Sequence, residues 1–145
     1  MSTTKKISKF IENALNNAQK SNELPTLSIN KIIVEKPRNK SFGNWSTNIA
    51  MTLSKELKKN PLDIAKNINN NIEKNDVIEN IEIIKPGFIN FKLSENFRSN
   101  LLKQILNEKK SFGSNVEGKG KQIQLEFVSV NPTGPVHVGH ARGAI

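Results

Sequence analysis

The chain has 145 residues, which suits one ordinary domain or a small domain plus part of another. It has no cysteine, which excludes disulfides and Cys-ligated metal sites; no stretch approaches the ~20 apolar residues needed to cross a bilayer, and Met1–Phe10 lacks the apolar run of a secretory signal, so a cytoplasmic protein is expected. The balance of 22 Lys+Arg against 13 Asp+Glu, a net +9, favours polyanionic partners such as RNA, although a chain this rich in Lys, Asn and Ile is also what AT-rich coding DNA produces.

Taken in chain order, Thr3 and Thr4 can cap a helix whose apolar stripe is Ile7, Phe10, Ile11, Ala14, Leu15 and Ala18. Residues 21–26 read as a loop, the Ile- and Val-rich segment 28–35 as a strand, and 36–44, with Pro37 and Gly43, as a loop. A second helix is expected from about Ser46 to Lys59, with Ile49, Ala50, Leu53 and Leu57 inward and Trp45 packing at its start. Asn60-Pro61 stops it and opens a third, because Asn caps and Pro suits the first helical position. Asp63 favours that first turn electrostatically, and Ile64, Ala65, Ile68 and Ile72 form the inner face.

Residues 78–84 and 88–93 predict two strands, joined as a hairpin through Lys85, Pro86 and Gly87. Ser94 caps a further helix carrying Phe97, Leu101, Leu102, Ile105 and Leu106. The polar, Gly-containing stretch that follows reads as a linker. The organisation expected is an α+β N-terminal domain over 1–110, a linker over 111–120, and the start of a second domain over 121–145. In that last section Gln122–Ser129 reads as a strand, 131–135 as a turn, and a helix opens near His137. A strand, a turn and two helical turns do not close a core, so this section is expected to be part of a larger α/β fold.

The chemistry concentrates in EFVSVNPTGPVHVGHARG, residues 126–143. His137 and His140, three apart, share a helix face in a first turn, beside unpaired backbone N–H groups where phosphate is the usual guest. Gly139 between them lets a ring or ribose approach the backbone, and Pro132, Gly134 and Pro135 stiffen the approach. Isolated from this turn, the two histidines would read as ordinary surface residues. A metal site is not expected, since neither a cysteine nor a nearby acidic third ligand accompanies them.

This run resembles the ATP-binding HxGH motif of class I aminoacyl-tRNA synthetases, with Val138 at its apolar position, and EFVSVNPTGPVHVGH is similar to the arginyl type in particular. The resemblance extends upstream through FGNWSTNIAM (42–51), KPGFINF (85–91), SFG (111–113) and the segment 123–127. Three positions depart from the common pattern: Asn44 for Asp, Lys85 for Gly, and Ala141 for Gly.

The resemblance implies ATP-dependent activation of L-arginine and its transfer to tRNA(Arg). His137 and His140 would be the catalytic donors. Asn131, Pro132, Thr133, Gly134, Pro135, Val136, Val138 and Gly139 would complete the ATP motif with them, Mg2+ accompanying ATP without a dedicated cage. Ser129 and Asn131, with Glu126 as a further candidate, match the arginine-contacting positions. It also implies that residues 1–110 form a tRNA-binding domain with helices on one side of a short antiparallel sheet, and that 121–145 begin a Rossmann-like catalytic domain. On the strand 88–91, alternation separates Phe88 and Asn90 from Ile89 and Phe91. We expect the first pair to meet RNA bases, the second to be core, and Lys85 and Lys92 to meet phosphates. A monomer is expected, and the piece in isolation is not expected to catalyse. The alternatives are a non-enzymatic RNA-binding module and a different class I nucleotidyltransferase; the basic N-terminal domain argues against the latter.

Overall fold

The computed structural model describes residues 2–27, 31–114, 116, 118–126, 134–135 and 137–144. It divides into two compact units, 1–109 and 110–145.

In the first unit, helix α1 (Thr3–Lys20) is capped by Ser2, whose hydroxyl accepts from the Lys5 N–H at 3.3 Å. Its buried stripe is Ile7, Ile11, Ala14, Leu15 and Ala18, and Phe10 packs at the margin. Helix α2 (Ile49–Leu57) buries Ile49, Ala50 and Leu53 and ends where Lys58 turns left-handed. Helix α3 (Pro61–Asn70) starts as its sequence demands: the Asn60 side chain accepts from the Leu62 N–H at 2.9 Å, and Pro61 needs no donor of its own. Ile64, Ala65 and Ile68 point inward.

Three strands form one antiparallel sheet: β1 (Trp45–Thr47), β2 (Ile78–Ile84) and β3 (Phe88–Leu93), in the order β1-β3-β2. In the central strand, Ile89, Phe91 and Leu93 are buried in the core shared with α1, α2 and α3. Cross-strand partners extend this inner face: Trp45 and Ile81 flank Phe91, and Thr47 and Ile83 flank Ile89. Helices on one side of a short antiparallel sheet are thus the observed architecture, as expected.

Three expectations need correction. Residues 45–47 are strand β1 and not the start of α2, so Trp45 pairs with Phe91 across a ladder. The β-branched and aromatic residues there suit a pleat, and the stripe from Ile49 onward makes a helix without them. Residues 31–34 form no ladder; a single bridge joins Glu35 to Ser46, and Ser28, Ile29 and Asn30 lie outside the described residues. Nor are residues 122–126 a strand: Ile123 and Leu125 are exposed, and a strand needs a neighbour to bond. The rest of that predicted strand, 127–129, lies outside the described residues.

Helix α4 (Glu95–Glu108) is capped by Ser94 as predicted, its hydroxyl accepting from Phe97 N–H at 3.1 Å. Phe97 is its anchor on the core, under the Lys6 ammonium at 4.9 Å. Its apolar residues beyond that point are not buried: Leu102 and Leu106 are 62% and 72% exposed. In the second unit, helix α5 (Val138–Ala144) opens immediately after His137.

Candidate nucleotide motif and nucleic-acid interface

The two histidines at the start of α5 lie together. Their rings stack with centroids 3.8 Å apart and planes inclined by 25°. His140 Nδ1 accepts the His137 backbone N–H and His137 Nδ1 accepts the Gly139 N–H, both at 3.1 Å. Both Nδ1 atoms are thus occupied as acceptors of backbone N–H groups, which leaves Nε2 as the ring nitrogen open to another partner. Gly139 has a local reason as well. A Cβ there would stand 2.9 Å from His137 Cε1, in the space the imidazole occupies. Gly134, Pro135, Val138 and Glu126 are exposed; Ser129, Asn131, Pro132, Thr133 and Val136 lie outside the described residues.

The second candidate is on β3. Phe88, Asn90 and Lys92 share the face opposite the core, as alternation predicted. Phe88 is open to solvent, but Asn90 is only 4% exposed. Two walls rise around it. One comes from Lys40–Asn44, the short 3-10 turn and its exit, and the other from Asn80 and Glu82 of β2; Lys92 and Arg98 also line it. Together with Asn90 they line an open recess of about 240 Å³. Lys92 bonds Glu79 at 3.1 Å, while Lys85 sits in the exposed hairpin turn and does not line the recess.

Sequence reasoning missed Lys40, Asn44, Glu82 and Arg98 at this place. Their signal was Gly43, which has φ +104° and brings the chain so close to β3 that the Asn44 N–H bonds the Phe91 carbonyl at 2.9 Å. The Asn44 Oδ1 then accepts the Leu93 N–H at 2.8 Å. Aspartate offers the same acceptor, so Asn in place of the commoner Asp keeps this clamp.

Among the described residues, no group of three His, Cys, Asp or Glu is placed to hold a metal, and no helix is long and apolar enough to cross a membrane.

By architecture this is an α+β domain whose helices cover one sheet face and leave a polar recess on the other. The arginyl tRNA synthetase N terminal domain family matches residues 5–93, and the chain belongs to that family. An arginine–tRNA ligase of Nitratiruptor sp. is 46% identical over 123 residues, 85% of this chain and 23% of the relative. Another, from Acetivibrio thermocellus, is 39% identical over 140 residues, 96% of this chain and 25% of the relative. The crystal structure of arginyl-tRNA synthetase from Plasmodium falciparum superposes with a TM-score of 0.61 at 30% identity, over 74% of this chain and 19% of that one. The chain therefore spans about a quarter of the length of the curated relatives it matches.

Proposed function

We propose that the chain works as the N-terminal part of an arginine–tRNA ligase: it engages tRNA(Arg) through its first unit and contributes the HxGH segment to ATP-dependent activation of L-arginine. The observation that carries this reading is the family match over 5–93 in a chain that continues into the stacked pair His137 and His140. In activation, an arginine carboxylate oxygen attacks the α-phosphorus of ATP and pyrophosphate leaves. The 3′-terminal hydroxyl of the tRNA then attacks the carbonyl of the adenylate and releases AMP. With Nδ1 of each ring taken by a backbone N–H, Nε2–H is the group left to donate to phosphate oxygens as charge develops on them. Ser129, Asn131 and Glu126 are assigned to arginine, and Asn131–Gly139 with His140 to ATP. Mg2+ carried in with the nucleotide would neutralise phosphate charge. The work is that of a cytoplasmic monomer in protein synthesis.

On the RNA side, Phe88 offers a face for stacking and Asn90 an amide that can read a base edge, with Lys92 and Lys85 near phosphates. Affinity of the chain for tRNA(Arg) should fall on the order of tenfold between 50 and 200 mM salt if two or three phosphates are neutralised. A flat response would remove phosphate tracking from the reading. Asn90→Ala should weaken tRNA(Arg) about tenfold, the worth of one hydrogen bond to a base, and leave unrelated tRNA nearly untouched. Equal weakening of both would make Asn90 structural.

Catalysis is a separate matter. The chain corresponds to about a quarter of the ligases it matches, so ATP–pyrophosphate exchange by the chain with arginine and tRNA present should stay at background. Turnover above background would overturn that assignment.

A further inference from the structure

The loop that precedes β1 concentrates positive charge. Between residues 31 and 44 stand four cations, Lys31, Lys36, Arg38 and Lys40, against one acid, Glu35. All five are exposed, and Lys36, Arg38 and Lys40 pair with none of the described acids. Other cations around the recess are matched: Lys92 by Glu79 at 3.1 Å and Arg98 by Glu95 at 3.6 Å.

The backbone under these charges is pinned at both ends. Upstream, the Thr47 hydroxyl donates to the Ile33 carbonyl at 2.7 Å, and Glu35 and Ser46 exchange backbone hydrogen bonds at 3.0 and 2.8 Å. Downstream, Asn44 is tied to Phe91 and Leu93 of β3. In between, Pro37 fixes its own φ and keeps Lys36 out of helical conformations. The Asn39 side chain closes the 3-10 turn by accepting the Ser41 N–H at 3.0 Å. Lys36, Arg38 and Lys40 follow one another at intervals of two residues, so neighbours lie within ~7 Å along the chain, inside the ~8–10 Å over which salt screens a charge. Their fields therefore add. A cluster of this kind repels itself in the free protein, and a polyanion with closely recurring charges, such as the phosphates of one nucleic-acid strand, relieves that repulsion. Because the loop is already fixed, little further ordering opposes the contact.

Resting on the tRNA reading above, we infer that Lys36, Arg38 and Lys40 form the principal phosphate-binding surface of the chain, holding the RNA backbone by charge. Lys40 also lines the recess, which sets this surface next to the β3 face assigned to RNA. Lys31 lies ahead of the pinned stretch and is not part of it. Phosphates carry no sequence, so the surface supplies affinity and salt dependence without choosing among tRNAs.

The test measures tRNA(Arg) binding across a salt series by the native chain and two variants. The loop variant combines Lys36→Gln, Arg38→Gln and Lys40→Gln. The control combines Lys20→Gln, Lys55→Gln and Lys66→Gln, one position on each of α1, α2 and α3. Both lose the same charge, and only its place differs. All six positions are exposed, so both variants should fold. With about three phosphates neutralised by the loop, native affinity should fall roughly tenfold between 50 and 200 mM salt, and that of the loop variant no more than about twofold. The control should follow the native fall. At 50 mM the loop variant should bind on the order of tenfold more weakly than the control, for tRNA(Arg) and unrelated tRNA alike. A native-like fall in the loop variant, an equal loss in the control, or a loss confined to tRNA(Arg) overturns the inference and leaves the tRNA reading in place. Native binding that ignores salt overturns it as well. Failure of the native chain to bind tRNA(Arg) at any salt removes the tRNA reading and this inference together.

Discussion

Phe91→Ala should lower the unfolding free energy of the first unit by about 3–5 kcal/mol, the usual cost of emptying a buried phenyl site. Phe91 is fully buried at the centre of the sheet, with Trp45 and Ile81 as its partners on the two sides. Helices cover it from the remaining direction, so the vacated space is walled by elements that cannot all collapse inward. A domain of this size is stable by only ~5–15 kcal/mol, so the substitution removes from roughly a fifth of that to nearly all of it. Urea denaturation checks this: the midpoint should fall with the slope unchanged. Phe88→Ala, two residues back on the opposite face, should shift stability by no more than about 0.5 kcal/mol. If the two variants proved equally stable, the assignment of faces on β3 would be wrong.

Gly43→Ala should damage both the fold and the recess. With φ +104° the backbone there adopts a shape that side chains avoid, at a cost of ~1–3 kcal/mol. The added Cβ would lie 2.8 Å from the Phe91 carbonyl oxygen. That atom belongs to the backbone of the central strand and cannot swing aside as a side-chain tip would. The chain must move instead, stretching the Asn44 N–H bond to the same carbonyl. The expected result is a loss of stability beyond the conformational cost alone, seen by thermal unfolding. Weaker tRNA binding should persist below the transition, because Gly43 and Asn44 form one wall of the recess. Native stability with native tRNA affinity would show that the wall tolerates a side chain.

These two positions also mark what could and could not be read from the sequence. Period-two alternation sent Ile89 and Phe91 inward and Asn90 outward, because a strand has only two faces. Asn60-Pro61 and Ser94 announced their helices for an equally local reason: a cap is decided by one side chain and the next few N–H groups. The hairpin was legible from Lys85, Pro86 and Gly87. By contrast, β1 was hidden. Three residues cannot display a period, and Trp45–Thr47 becomes a strand because Phe91–Ile89 are there to bond it. The burial of Asn90 was hidden too, since its walls come from residues 40–44 and 80–82. For the histidines, the spacing suggested a shared face, but not that Gly139 clears the volume the His137 ring fills. The apolar residues of α4 followed helical spacing, yet spacing does not say what covers a stripe, and Leu102 and Leu106 remain exposed.

Strand β3 does two jobs with alternate residues: odd positions hold the core, and even ones lie on the opposite face, where Asn90 and Lys92 line the recess. Displacing it by a single residue would exchange the sets, setting Asn90 and Lys92 against the helices and Phe91 in water. Asn44, tied to both Phe91 and Leu93, opposes that displacement. Grafting this hairpin into another scaffold would therefore need the Gly43-Asn44 pair carried along with it, or the transplanted strand would have no latch to tell inside from outside.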